Sequence, residues 1–254
     1  MTKTNTHIIV FGASGRMGSR LCTLASADPS CTLLAAVVRD DSPRIDQPVR
    51  ETSATAPTFT NAVFCGKFRD IPRTVIVDFS SDAGVLRARA LALDINASLL
   101  VGTTALSPST VAALHAASEK ISLLITPNTS IGVAALSAAV AAIARTLGPD
   151  FDCSIVEAHH AMKKDAPSGT AIRLARAARE AGASLPDNQV VALRGGDVVG
   201  EHTVRFAGAG EYIELTHRAT SRDLFARGAL RAAAWLAQQP PGSYTMDDVL
   251  RVNA

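Results

Sequence analysis

A chain of 254 residues that is 47% hydrophobic and 19% charged has the balance of a folded globular protein, with length for one large or two modest domains. A net charge of +2 without any run of Lys or Arg argues against a dedicated nucleic-acid binder. The start MTKTNTHIIVFG lacks the layout of a secretory signal, and the longest apolar run, Val133 to Ala144, is short and alanine-rich for a bilayer span.

In chain order, His7 to Phe11 is a short apolar run, followed by the glycine turn GASGRMG and a helical pattern from Met17 to Ala27. Thr32 to Val38 (TLLAAVV) and Thr74 to Phe79 (TVIVDF) are further runs of the buried type. Helical stretches near Ala83 to Asp94 and Pro108 to Lys120 separate two more, Ser98 to Val101 and Ile121 to Ile125. Continuous apolar strands between helices predict a parallel sheet covered on both faces, a doubly wound α/β domain.

Past PNTSIGV the pattern changes. An alanine-rich helix is expected from about Gly132 to Leu147, then a strand from Cys153 to Glu157 and a helix from Gly169 to Ala181. Strand candidates follow near Gln189 to Arg194, Thr203 to Phe206 and Tyr212 to His217. In the last, Ile213, Leu215 and His217 alternate with Tyr212, Glu214 and Thr216, a half-buried antiparallel pattern. Phe225 to Gln239 reads as a helix that stops at Pro240-Pro241-Gly242. The expectation is an α/β domain over 1–130 and an α+β domain over 131–239. Cys22, Cys31, Cys65 and Cys153 form no CxxC pair and no metal spacing, so they read as free buried thiols of a soluble cytoplasmic protein, with no metal site.

The run IIVFGASGRMGSRL is strand, glycine turn and helix, the context of a dinucleotide-binding turn. A helix N-terminus offers unpaired N–H groups and a positive dipole end to a pyrophosphate. The glycines fall at 12, 15 and 18, so the G-x-G-x-x-G spacing places Ser14 and Met17 where two glycines are usual. A plain βα turn with packing glycines is the alternative. The second strand ends Val37-Val38-Arg39-Asp40-Asp41. An acid near that strand end grips the ribose hydroxyls of NAD, whereas an arginine suits the 2′-phosphate of NADP. Val38 leaves the acidic position empty with Arg39 beside it, unless Arg39 is only a solvated strand-end residue.

The densest chemistry is EAHHAMKKDAPSGTA, Glu157 to Ala171. Ala171, Leu174, Ala175 and Ala178 recur at helical spacing, so Ser168-Gly169-Thr170 lies at a helix N-terminus, an anion site. His160, Lys163 and Lys164 lie just upstream, which points to an anionic ligand, most simply a carboxylate. His159 and His160 suit proton donation near neutral pH, and a lysine beside an anion serves as acid or clamp. No third ligand of suitable spacing completes a metal site, Cys153 lacks an activating neighbour, and no G-x-S-x-G elbow or Tyr-x-x-x-Lys pair occurs. Dinucleotide, proton donors and anion pocket together suggest hydride transfer coupled to proton transfer.

These motifs resemble the signatures of the dihydrodipicolinate reductase family. GASGRMG, VDFS at 77–80, GTT at 102–104, PNTSIGV at 127–133, the His-Lys stretch and GEHTVRFAGAGE at 200–211 carry the resemblance along essentially the whole chain. It implies reduction of a cyclic dicarboxylate, 4-hydroxy-tetrahydrodipicolinate, by NADPH or NADH in lysine and diaminopimelate biosynthesis. It implies His159 as proton donor and Lys163 as a second acid that also stabilises developing charge. His160, Gly169 and Thr170 would bind carboxylate, joining Ser168 of the helix start, and Thr104 would sit between nicotinamide and substrate. Gly12, Ala13, Ser14, Gly15, Arg16, Met17, Arg39, Gly102, Thr103, Thr104, Thr126, Pro127, Asn128 and Thr129 would line the cofactor, with NADPH preferred. The family's final segment, here 240–254, returns to the first domain, and its second domains join four subunits into a homotetramer. Ser14, Val38 and Thr129 depart from the family pattern, where a glycine, an acid and an aromatic are frequent. A non-catalytic NADP(H) sensor on the same fold is the rival, and it would lack His159 or Lys163. A semialdehyde enzyme is a second, and it would need an activated cysteine.

Overall fold

The computed structural model describes residues 5–49, 58–61 and 68–251. It divides into two compact units, Met1–Thr129 with Phe225–Ala254, and Ser130–Leu224.

The first unit is built on β1 (Thr6–Phe11), β2 (Cys31–Val37), β3 (Phe59–Thr60), β4 (Thr74–Asp78), β5 (Ser98–Val101), β6 (Ser122–Ile125) and β11 (Gly242–Tyr244). They pair in parallel in the order β11-β6-β5-β4-β1-β2-β3. The runs IIVF, TVIV and LLV are buried at every position because helices cover both faces of the sheet. Helices α1 (Arg16–Ala27), α2 (Asp82–Asp94) and α3 (Pro108–Ala117) follow β1, β4 and β5. On one face Val85, Ala88 and Leu91 of α2 and Leu114 of α3 pack on Ile9, Ile76, Leu99 and Leu123. Ser81 caps α2 by accepting from Gly84 N at 3.2 Å, and Ser107 caps α3 by accepting from Thr110 N at 3.3 Å. The chain leaves β1 in one direction for β2 and β3, and in the other for β4, β5 and β6. The C-terminal edge between β1 and β4 is therefore the switch point where such sheets bind ligands.

The second unit opens with α4 (Ile131–Leu147), then β7 (Asp152–His159), α5 (Gly169–Glu180), β8 (Val190–Arg194), β9 (Gly200–Gly208) and β10 (Glu211–Ala219). Its sheet order is β10-β9-β7-β8. The β7-α5-β8 crossover makes β7 and β8 parallel, while β9 and β10 run antiparallel, so the sheet is mixed. One face carries the core: Cys153, Ile155, Val204 and Phe206 meet Leu136, Val140 and Ala144 of α4 and Leu174 and Ala178 of α5. The opposite face leaves Val156, Val191 and Leu193 exposed, at 41%, 44% and 52%.

Four expectations shift. Helix α6 (Asp223–Leu236) was expected in the second domain, but Phe225–Leu236 clusters with the first, burying Ala229, Leu230, Ala233 and Leu236. The return to the first unit thus begins at Phe225 and continues through β11 and α7 (Met246–Arg251). With the turn Gly148–Asp150, α4 makes a 20-residue segment long and apolar enough to cross a membrane, so the expectation that this run falls short is corrected. Its buried stripe instead closes the core of the second unit. Strand β7 runs two residues beyond Glu157 and so carries His159. Cys22 and Cys153 are free and buried, their thiols pushed up to about 12 and about 11 by burial, whereas Cys31 is only half-buried. Cys65 lies outside the described residues.

Candidate active site

At the switch point of the first unit, Gly12 has φ +73°, and a side chain there would sit 2.2 Å from the Phe79 carbonyl oxygen. Gly18, one turn into α1, packs onto the same turn: a Cβ would come 2.1 Å from Gly12 O. These two contacts account for glycine at 12 and at 18. Gly15 forms the N-cap of α1 without a side-chain hydrogen bond, and the first turn holds no acid. Its N–H groups and dipole are thereby left for a phosphate, which is the fit a dinucleotide requires.

A cleft of about 670 Å³ opens beside this turn, lined by Gly12, Ser14, Gly15, Val38, Arg39 and, from the far wall, Arg87. Arg39 Nε lies 3.4 Å from Asp41 and Arg87 lies 3.6 Å from Asp40, both pairs well exposed. Phe79, Ser80, Ser81 and Gly84 complete the far wall. The sequence reading missed these and Arg87, although VDFS marked the strand end that carries them. Ala13 is buried under the turn, while Arg16 is exposed and Met17 half-buried outside the cleft lining. The segments 102–104 and 126–129 follow β5 and β6 on the same edge of the sheet. There several hydroxyls are engaged within the unit. Thr103 donates to the buried Asp78 and accepts from Ser80 N at 2.8 Å. Thr126 donates to Asn128 O at 2.8 Å, and Thr129 donates to Phe225 O at 2.7 Å. Burial pushes the Asp78 carboxyl up, although Thr103 and Ser80 oppose the shift. Gly102 is buried, and Thr104 and Pro127 are exposed.

In the second unit, Cys153, Ile155, Glu157 and His159 alternate on the inward face of β7. Glu157 is fully buried, at 0% exposure, and is met by four donors. Arg194 grips it from β8 at 3.0 and 2.7 Å, Ser168 N–H donates at 3.1 Å, and His159 Nδ1 makes a short hydrogen bond. Burial alone would lift this carboxyl; the Arg194 fork, the His159 ring and the Ser168 N–H outweigh it and hold the group below the ordinary glutamate range. An ionised carboxylate only accepts, so His159 Nδ1 carries the hydrogen and Nε2 is the working atom. A Cβ on Gly200 would lie 3.0 Å from that Nε2, so glycine there leaves room for it. Burial lowers the His159 pKa; Glu157 opposes the shift, and the charges of Lys163 and Arg194 add to it.

Lys163 pairs with Asp165 at 2.8 Å, and Arg194 donates to Asp165 O at 2.7 Å, which ties the Lys163 loop to the same guanidinium. His160 O accepts from Lys163 N at 3.1 Å, closing the loop's turn. Ser168 caps α5, its hydroxyl accepting from Ala171 N at 3.2 Å and sharing a hydrogen bond of 3.1 Å with His202 Nε2. Gly169 is exposed, and a Cβ there would meet nothing within 4 Å. His159, Lys163, His160 and Ser168–Thr170 thus gather around the end of β7 and the start of α5. Sequence reasoning missed Glu157, Arg194 and His202 as members of this group. The donor atoms of Glu157, His159 and His202 converge within 4.8 Å of one another, but Arg194 already supplies the cationic partner a metal would provide.

A doubly wound unit with a helix N-terminus at its switch point, joined in one chain to a unit that gathers His159, Lys163 and the start of α5, defines a nicotinamide-nucleotide oxidoreductase. Family models for the dihydrodipicolinate reductase N-terminus and C-terminus match residues 6–129 and 132–250. The chain belongs to the dihydrodipicolinate reductase family. A 4-hydroxy-tetrahydrodipicolinate reductase of Xanthomonas euvesicatoria pv. vesicatoria is 43% identical over 255 residues, covering 98% of this chain and 100% of that one. One from Anaeromyxobacter dehalogenans is 41% identical over 264 residues, covering 96% and 97%. The dipicolinate-bound dihydrodipicolinate reductase from Paenisporosarcina sp. TG-14 shares the fold with a TM-score of 0.75 at 18% identity, covering 95% of this chain and 98% of that one.

Proposed function

We propose that the protein reduces 4-hydroxy-tetrahydrodipicolinate to tetrahydrodipicolinate with NAD(P)H, in the cytoplasm, on the route to diaminopimelate and lysine. The observation that carries this reading is His159, held by ionised Glu157 beside Lys163 and an open helix N-terminus. In the net reaction a hydride and a proton are consumed and the ring hydroxyl leaves as water. When bound, the reduced nicotinamide supplies the hydride. His159 Nε2 supplies the proton, because its ring is fixed through Nδ1. Lys163 and the first N–H groups of α5, at Gly169 and Thr170, take the substrate carboxylate, with His160 beside them. Burial lowers the His159 pKa, and a dianionic ligand beside the ring raises it, so binding favours the charged acid.

A nicotinamide dinucleotide would be held along the edge that carries Gly12–Met17, Gly102–Thr104 and Thr126–Thr129, with Thr104 beside the nicotinamide. Val38 offers no acceptor to the ribose hydroxyls, and Arg39 meets the 2′-phosphate from the same wall, which favours NADPH over NADH. Assembly into a homotetramer covers the apolar outer face of the second sheet, Val156, Val191 and Leu193. The test is oxidation of NADPH and NADH, separately, with substrate generated from aspartate semialdehyde and pyruvate, together with inhibition by dipicolinate and by its monocarboxylate analogue. Turnover with a preference for NADPH, and competitive inhibition by the dicarboxylate alone, are expected. No turnover with either cofactor overturns the reading.

A further inference from the structure

We propose that Glu157 is a positioning residue that locks three parts of the proton-donor site together: the ring of His159, the start of α5, and the loop of Lys163. The proposal rests on the reading of His159 as the proton donor.

The geometry is that of a hub. One carboxylate oxygen, Oε2, takes the His159 Nδ1 hydrogen and one arm of Arg194; the other, Oε1, takes the Ser168 N–H and the second arm of Arg194. Arg194 then reaches Asp165 O at 2.7 Å, two residues from Lys163, whose ammonium is itself held by the Asp165 carboxylate. The three contacts have separate consequences. The Nδ1 contact sets which ring nitrogen is open, and an ionised partner stabilises the imidazolium that precedes proton transfer. The Ser168 contact fixes the cap residue from which α5 presents its N–H groups. The Arg194 contact anchors the loop that aims Lys163. A carboxylate kept only to satisfy a core arginine would need neither the histidine nor the cap.

The groups that face His159 are Glu157 on its own strand, Lys163 on the following loop, Arg194 on β8 and His202 on β9. The His202 ring stands edge-on at 5.2 Å, and His217 lies beyond it on β10. Among these, Glu157 is the anion. Its replacement by glutamine keeps the shape but removes the charge, and it offers Nδ1 an amide N–H in place of an acceptor. Ser168 N–H and one arm of Arg194 both donate at the Oε1 position, so the amide oxygen belongs there and the NH2 group faces Nδ1, which drives the ring to the opposite neutral tautomer, with its hydrogen on Nε2.

The experiment combines ring-nitrogen NMR on histidine-labelled protein with steady-state kinetics across pH, for wild type, Glu157→Gln and Glu157→Asp. In wild type without ligand, neutral His159, assigned by comparison with His159→Gln, is expected to carry its hydrogen on Nδ1. In Glu157→Gln the hydrogen is expected on Nε2, and kcat is expected to fall by about 10²- to 10³-fold with the KM for NADPH unchanged. The fall of kcat with rising pH is expected to set in about 1 to 3 pH units lower. Glu157→Asp keeps the charge and is expected to recover part of kcat and most of the pH profile. An Nε2–H tautomer in wild type overturns the proposal even if Glu157→Gln does not fold. So does a folded Glu157→Gln with the wild-type tautomer and pH profile. If wild type shows no turnover, or His159→Gln turns over like wild type, the functional reading fails instead, and the tautomer data still decide the role of Glu157 toward the ring.

Discussion

Arg194 is the cation that keeps Glu157 ionised, so replacing it with methionine tests the electrostatics of the site most sharply. Glu157 has no exposed surface, and it loses two charge-assisted bonds, of 3.0 and 2.7 Å, while keeping those from Ser168 N–H and His159. Removing one partner of a buried pair typically costs about 3–5 kcal/mol. The low end, about 3 kcal/mol, is expected here because the Arg194 side chain retains 19% exposure and water screens part of its charge. The pH dependence carries the diagnosis. In wild type the Glu157 pKa is lowered, so its contribution is present above the unfolded-state value and is lost as pH falls through the folded one. In Arg194→Met, burial is no longer outweighed and the carboxyl moves up. The deficit is therefore largest at neutral pH and narrows as pH falls through the raised pKa of Glu157 in the variant. Urea unfolding from about pH 8 to about pH 4, followed by far-UV circular dichroism, measures this difference. The one tryptophan, Trp235, lies in the first unit and reports it separately. A deficit that does not change with pH would refute the argument.

His202 is buried, with its pKa pushed down to about 4 by burial, then by His159. The unfolded chain takes up that proton near pH 6.5, so stability falls as pH drops from about 6.5 to about 4, by about 3 kcal/mol in total. Burial lowers the pKa of His217 too, giving a slope of the same sign, so the difference between wild type and His202→Gln in urea titrations isolates the His202 part; parallel curves would contradict it. Gly200→Ala places a methyl 3.0 Å from His159 Nε2 and is expected to lower kcat by about 10- to 100-fold with the KM for cofactor unchanged, as initial rates will show. Dicarboxylate binding is expected to take up a proton near neutral pH, since it charges a histidine whose free-state pKa is lowered; calorimetry in two buffers of different ionisation enthalpy measures it, and zero uptake would contradict it. Val38→Glu is expected to shift the ratio of kcat/KM toward NADH, whereas Arg39→Ala is expected to weaken NADPH alone.

The strands of the first unit were legible because a parallel sheet covered on both faces leaves a run of apolar residues without alternation, as in IIVF and TVIV. Strands β3 and β11, of two and three residues, are too short for any period to register. The pattern of α6 was readable, but its partner was not: spacing shows that one face is buried, not which unit buries it. His159, Lys163 and the start of α5 were visible because they crowd into one stretch of sequence. Arg194 reaches the site through the pairing of His159 with Arg194 across β7 and β8, a register that no local pattern carries. Glu157 did leave a trace. It falls in the buried phase of the alternation Cys153, Ile155, Glu157, His159, where a charge needs a partner. The glycine turn was legible from its strand-turn-helix context, but the reason for glycine at 12 and 18 was not: it lies in the approach of Phe79 O and of α1 to Gly12, which only the folded turn brings together.

Proton delivery by His159 in the reduction of a cyclic dicarboxylate stands or falls with the rate left when its imidazole is removed. The most direct measurement is the rate of NADPH oxidation by wild type and by His159→Gln at saturating 4-hydroxy-tetrahydrodipicolinate, with the NADPH dissociation constant measured on both. A loss in kcat of about 10²- to 10⁴-fold with NADPH affinity unchanged is expected. Wild-type turnover in a folded His159→Gln protein would contradict it.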